Sequence, residues 1–307
     1  LVQLSSMAKN ILVVGLTCID VVNYVNSYPL EDSDNRVMKQ VWSLGGNAAN
    51  NVTVLNQLNS HTTLFSALPA DNSLVNQLLL KNGICSSRCV FRENSEVPLS
   101  TIIVNESSST RTVLHYRGQL DEVKFEEFKA TFPNISDFCW IHFEGRNCDE
   151  VLRMVEYIRE QRGSAALPRI SIECEKVRPF PTMERAIPLA DVVFVSKDFA
   201  KCRGFTDKES AVDGIRKLFG VSRNTIICPW AEKGAAGRAC EESRMVSVEA
   251  FTAAGPAVDT LAAGDCFIAC CIHWLSEGYD LEQTLTRACR ITGKKVAKRG
   301  LLALDIT

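Results

Sequence analysis

The sequence predicts an α/β fold: a central, mostly parallel sheet flanked by helices, with a small β-sheet lid. Three observations carry that expectation. Short apolar runs alternate with helix-periodic segments along most of the chain, as in successive βαβ units. Two β-rich stretches follow the first strand with no helix between them, so they need a sheet of their own. The chain has 307 residues, enough to bury roughly three quarters of its unfolded surface in one large core.

Ile11–Leu16 reads as a buried strand. Val21–Tyr28 and Val37–Trp42 are the β-rich stretches, separated by Pro29 and the acidic run Glu31–Asp34. Gly45-Gly46-Asn47 breaks the pattern, and a helix follows with Ala48, Val52 and Leu55 on one face. Thr63–Ala67 is a strand and Ser73–Lys81 a helix. Ser100–Asn105 and Thr112–Tyr116 form a strand pair around the polar tip Glu106–Thr110. Cys139–Phe143, Ile170–Glu173, Val192–Val195 and Thr225–Cys228 are further strands with helical segments between them. The chain closes with a helix opening at Asp265, with Phe267, Cys270, Cys271, Trp274 and Leu275 at helical spacing, and a second helix over Leu281–Lys298. The reading gives one domain over residues 7–307, its lid formed mainly by 21–42 and 100–116. Leu1–Ser6 lie outside that reading, which starts the domain at Met7.

Composition narrows the function classes. Hydrophobic residues make up 46% and charged residues 23%, an ordinary soluble balance. A net charge of −2 gives no electrostatic reason for a nucleic-acid or membrane partner. No stretch is long and apolar enough to span a bilayer, and no secretory leader pattern opens the sequence. Thirteen cysteines, an odd number with no CxxC pair, fit reduced thiols and a cytoplasmic setting. The 4 histidines are scattered and form no metal motif.

Four polar clusters follow strand ends or helix starts, where open α/β sheets bind ligands. Asp20 lies just beyond the first strand. In Gly45-Gly46-Asn47-Ala48-Ala49-Asn50, two glycines allow close backbone approach and two amides three apart face the same way. Neutral amides with one carboxylate suit a neutral polyol, whose hydroxyls both donate and accept. Pro229-Trp230-Ala231-Glu232-Lys233-Gly234 is a turn able to hold phosphate or ribose, and Arg111 could reach phosphate oxygens. In Ala262-Ala263-Gly264-Asp265, small residues open a helix whose free N–H groups favour an anion. Each cluster also has a plain structural reading: Asp265 or Asn47 as a helix cap, Asp20 as a turn residue, Arg111 as a solvated charge.

Taken together, the clusters resemble the ribokinase-type (pfkB) carbohydrate kinase family. Its two signatures, a Gly-Gly-Asn segment near the amino end and Asp-Thr-x-small-small-Gly-Asp near the carboxyl end, stand here at Gly45–Asn47 and Asp259–Asp265. Tyr28–Ser33, Trp140–Asn147, Val193–Asp198, Trp230–Glu232 and Thr292–Lys295 extend the likeness toward the branch that phosphorylates ketohexoses, over about Ile11 to Leu302. The resemblance implies a ribokinase-like fold and transfer of the ATP γ-phosphoryl group to the 1-hydroxyl of fructose. It makes Asp265 the base, beside Gly264 and Ala263. It puts the ketose on Asp20, Gly46, Asn47 and Asn50. It puts ATP against Arg111, Ala231, Glu232, Lys233, Gly234, Ala262, Ala263 and Gly264. It implies Mg2+ and admits K+, and it packs the lid against a second copy, so that Asp32 reaches the partner's sugar.

The sequence departs from the family in places. Ala262 stands where the family has Gly, and Cys266 where it has Thr. The family's Asn-x-x-Glu is replaced by Ser196-Lys197-Asp198-Phe199, so metal ligands stay unassigned. Asn147 and Glu150 share the spacing but follow another strand and are read as a decoy. Lys294 and Lys295 are read as complementing a helix dipole. Two alternatives remain: a relative with another sugar or nucleoside acceptor, and a silent sugar-binding homologue.

Overall fold

The computed structural model describes residues 10–108, 110–175, 181–252 and 257–306; the start at Met7 and the segment Leu1–Ser6 lie outside them. β1 (Asn10–Val14) runs almost directly into β2 (Cys18–Val25), and an exposed loop leads back to β3 (Lys39–Gly45) and α1 (Asn47–Gln57). β4 (His61–Phe65), β5 (Ala67–Pro69), α2 (Ser73–Lys81) and β6 (Val90–Arg92) follow. β7 (Leu99–Asn105) and β8 (Thr110–Tyr116) pair as a hairpin. Helices and strands then alternate through α3 (Phe125–Thr131), β9 (Phe138–Phe143), α4 (Cys148–Arg162), β10 (Arg169–Cys174), α5 (Pro181–Ala186) and β11 (Val192–Val195). The chain ends with α6 (Lys197–Lys201), α7 (Lys208–Phe219), β12 (Thr225–Pro229), β13 (Ala235–Arg238), β14 (Val246–Val248), α8 (Ala263–Ser276) and α9 (Leu281–Val296).

The main sheet has eight strands in the order β14-β13-β12-β11-β10-β9-β1-β4. From β4 to β12 every pairing is parallel, and β13 runs antiparallel to both its neighbours, β12 and β14. The apolar run of β1 shows why this sheet needs helices on both sides. Leu12 and Val14 enter one core, with α4 and α7, while Ile11 and Val13 enter the other, with α1, α8 and α9. Because these strands are parallel, their carboxyl ends share one edge. Gly15, Glu144, Glu175, Ser196 and Trp230 all begin there.

A second sheet, ordered β3-β2-β7-β8, stands beside that edge. Val22, Tyr24 and Ile102 form its small core, and Leu261 packs against it. The loop before α8 therefore touches this small sheet, and it is also bonded to α9. No helix among the described residues is long and apolar enough to cross a membrane.

Some elements lacked a sequence signal. β13 is Ala-Ala-Gly-Arg, which carries no strand signal of its own; it pairs because β12 offers it an edge. α8 is buried all round from Asp265 to Ile272, since it is packed between α1 and α9. Helical spacing alone accounts for only one apolar face.

Candidate active site

The site is built where β1, α1 and α8 meet. Gly46 is the N-cap of α1 at φ 92°, in the left-handed region, and a Cβ there would stand 2.4 Å from Leu16 O. Glycine therefore lets α1 start against the β1–β2 connection. Gly45 is equally constrained: a Cβ there would lie 2.3 Å from the carboxylate carbon of Asp20. Burial pushes the Asp20 carboxyl above the usual range, and hydrogen bonds from Ser100 and Cys18 oppose this. The Cys18 thiol lies 3.6 Å from Asp20 Oδ1.

Asn50, one turn into α1, donates its amide to Asp265 Oδ2 at 2.7 Å. Asn47 Nδ2 donates to Glu173 Oε2 and Glu175 Oε2, each at 3.2 Å. Among the described residues its Oδ1 accepts no hydrogen bond. Glu144 accepts the Leu16 N–H at 2.7 Å. The acidic groups Glu144, Glu173 and Glu175 thus converge on the asparagine helix start. Burial, then Glu175 and Asp265, push the Glu173 carboxyl well above its usual range.

Asp265 does not cap α8. Ala262 is the N-cap at φ 55°, with no side-chain cap, and Asp265 is the third helical residue. Ala263 N–H bonds Thr260 O at 3.3 Å and Cys266 N–H bonds Ala262 O at 3.0 Å. The N–H groups of Gly264 and Asp265 have no acceptor among the described residues, and nothing lies within 4 Å of a Cβ built on Gly264. Such a helix start, with open space before it, favours an anion, and it lies beside a buried carboxylate. Burial pushes the Asp265 carboxyl up to about 7; Asn50 pulls it down, while Glu175, Glu144 and Asp20 push it further up. A carboxylate that titrates near neutrality beside an anion site can take a proton from a hydroxyl.

A model of the pfkB family of carbohydrate kinases matches residues 8–305. The chain belongs to that family. It is 35% identical over 300 residues to ketohexokinase of Mus musculus, covering 95% of this chain and 97% of that protein. Among solved structures, ribokinase from Giardia lamblia superimposes with a TM-score of 0.78 at 17% identity, over 96% of this chain and 95% of that one. Ribokinase from Arabidopsis thaliana, complexed with ribose and ATP, gives 0.77 at 16%, over 95% and 94%. The fold of this pfkB kinase is ribokinase-like.

Of the residues singled out in the sequence, Asp20, Gly46, Asn47, Asn50 and Asp265 come together around the start of α1, and Ala263 and Gly264 stand beside them. Arg111, on β8, donates to Thr260 Oγ1 and so meets the loop before α8. Ala231–Lys233 form a single 3-10 turn after β12, closed by Gly234 at φ 78°. There Glu232 pairs with Lys197 at 3.2 Å, and Lys233 O accepts Lys208 Nζ at 2.5 Å. Asp32 lies on the exposed loop between β2 and β3 at φ 56°, joined to the cluster by no hydrogen bond among the described residues.

Lys295 stands in the last turn of α9, at the helix end read from the sequence, and its side chain is buried there. It is 1% exposed, with its ammonium on the loop before α8, because a buried ammonium needs oxygen partners of its own. Lys294 pairs with Asp305 at 3.1 Å. Asn147 and Glu150 serve structure: Asn147 donates to Val123 O at 2.7 Å and Glu150 accepts Phe125 N–H at 2.5 Å.

Glu144, Glu173, Glu175, Cys18 and Ser100 were not singled out in the sequence. The available signal was an acidic residue at or just after each apolar strand, in Phe143-Glu144 and Glu173-Cys174-Glu175. Among the described residues no three His, Cys, Asp or Glu side chains form a metal cage. The N–H groups of Gly264 and Asp265 fit a phosphate.

Proposed function

We propose that this kinase transfers the γ-phosphoryl group of ATP to the 1-hydroxyl of fructose, with Asp265 as general base. The observation that carries the reading is Asp265 itself: buried, oriented by Asn50 at 2.7 Å, and beside the N–H groups of Gly264 and Asp265, which have no acceptor among the described residues. The likeness to mouse ketohexokinase carries the choice of a ketohexose.

In this reading Asp20, Gly46, Asn47 and Asn50 hold the sugar hydroxyls and turn one toward Asp265. Asp265 takes its proton as the hydroxyl oxygen bonds to the γ-phosphorus and the bond to the β-phosphate oxygen breaks, releasing ADP. The Gly264 and Asp265 N–H groups stabilise charge on the phosphoryl oxygens. Mg2+, when bound with the nucleotide, supplies further neutralisation of phosphate charge. Arg111 and Ala231–Gly234 contact ATP, and the sheet β3-β2-β7-β8 acts as a lid that excludes water.

One face of that sheet exposes Trp42, Leu114 and Tyr116. An apolar sheet surface of this kind calls for cover, and in this reading a second copy of the chain supplies it, bringing Asp32 to the partner's sugar.

The test is ADP release with Mg-ATP and fructose, ribose, adenosine, fructose 6-phosphate or no acceptor, with the product identified. Fructose-dependent release yielding fructose 1-phosphate is expected. Release with another acceptor alone overturns the ketose assignment, and silence with all of them overturns the kinase reading.

A further inference from the structure

Lys295 is among the largest fully buried side chains of the described residues, at 1% exposure. An ammonium has three donors and no acceptor. Here Nζ meets three oxygens: Asp259 O at 2.8 Å, Asp259 Oδ2 at 3.2 Å and Leu261 O. Burial lowers the lysine's pKa and the Asp259 carboxylate opposes this. All three oxygens belong to one short bend, and that bend leads into the anion site.

The bend is anchored to α9 twice over. Val258 and Asp259 N–H donate to Val296 O at 2.9 and 3.0 Å. The Asp259 carboxylate accepts Leu261 N–H at 2.9 Å and Gly300 N–H at 2.8 Å. Two residues past Leu261's neighbour Thr260, Ala262 takes a left-handed conformation that an alanine does not favour. Directly after it come the N–H groups of Gly264 and Asp265. Carbonyls of Asp259 and Leu261 turned inward toward a common point repel one another unless a cation lies between them. Lys295 supplies that cation from the neighbouring helix.

We propose that Lys295 is a positioning residue for phosphoryl transfer: its ammonium is a tethered cation that fixes the Asp259–Ala262 bend and thereby aims the Gly264 and Asp265 N–H groups at the transferring phosphoryl. The inference rests on the reading of Asp265 and the anion site given under Proposed function. It differs from a purely stabilising role in what it predicts: loss of Lys295 acts on turnover more than on sugar affinity, and a free cation can replace it.

The experiment uses the full chain with Lys295→Met, which keeps the stem and removes the charge, and Lys295→Ala, which opens a cavity for an added cation. Lys295→Met is expected to melt cooperatively and lose about 100-fold in kcat with sugar KM changed by less than about threefold. Lys295→Ala is expected to regain about tenfold in kcat with added propylammonium or K+, neither of which activates the wild type to that degree. Wild-type kcat in Lys295→Met overturns the proposal. So does a loss that no cation restores and that raises sugar KM in parallel.

If Lys295→Met does not fold, Asp259→Asn decides. It keeps the Leu261 N–H contact to Oδ1 and replaces Oδ2, the oxygen shared by Lys295 and the Gly300 N–H, with an amide nitrogen, so kcat falls about tenfold at unchanged sugar KM; an unchanged kcat overturns the proposal. The wild-type acceptor assay settles the kinase reading separately. If the wild type prefers another acceptor, the same variants are measured on that acceptor. If it uses none, they are measured by calorimetric ADP affinity, with a drop of about tenfold expected in Lys295→Met and no drop overturning the proposal.

Discussion

Asn50 donates its side-chain amide to Asp265 across 2.7 Å, although the two residues stand 215 positions apart. The contact ties the first turn of α1 to the first turn of α8. It makes the carboxylate of Asp265 part of a junction between helices rather than a cap on its own helix. Asp265→Asn should therefore retain sugar binding by calorimetry while kcat falls about 1,000-fold, the scale of a lost general base. Near-normal turnover would remove Asp265 from that role.

The pH profile follows from the same carboxylate. Its pKa is raised to about 7 by burial, and a base acts only when deprotonated, so kcat/KM should rise through pH 7 and level off above it. Asn50 lowers this pKa, and Asn50→Ala should shift the rising limb to higher pH. Stability runs the other way. Between about pH 4 and pH 7 the folded chain keeps a proton that the unfolded chain has lost, so this group's contribution makes folding less favourable as pH rises. Asp265→Asn should then melt higher than wild type at pH 8, by a margin that shrinks toward pH 4. A margin independent of pH would contradict the raised pKa.

Gly45→Ala should damage the sugar side. The added methyl would stand 2.3 Å from the Asp20 carboxylate, so Asp20 must move. Overpacking of this kind costs roughly 1–3 kcal/mol. The expected result is a sugar KM raised about tenfold or more with ATP KM little changed. Steady-state kinetics in both substrates checks this, and an unchanged sugar KM would separate Asp20 from the sugar.

Ala262→Gly should stabilise the chain. Alanine at φ 55° carries a left-handed penalty of about 1–2 kcal/mol, which glycine's greater unfolded-state freedom offsets in part. A melting temperature higher by about 1–3 °C is expected. A lower one would mean that the methyl contributes packing that outweighs the strain.

The main sheet was legible because each buried parallel strand is a continuous apolar run, as in Ile-Leu-Val-Val of β1. β13 was not, because Ala-Ala-Gly-Arg carries no periodicity and becomes a strand only through its neighbour. In the site, Gly45–Asn50 and Ala262–Asp265 were legible because they are contiguous. Glu173, Glu175 and Ser100 were not, because their significance is a meeting of distant segments. For Lys295 the helix end was legible but the burial was not, because that is set by the bend of Asp259–Leu261 that folds over it.

Asn47 spends its amide hydrogens on Glu173 and Glu175, and Asn50 spends one on Asp265. What the cluster turns toward a guest is then mostly lone pairs: the oxygens of Asp20, Asn47 and Asp265. Such a surface is hungry for hydrogens. On the proposed reading it selects a molecule by how many O–H groups that molecule can hand over, and an otherwise identical guest with fluorine or an ether oxygen at those places arrives with nothing to give.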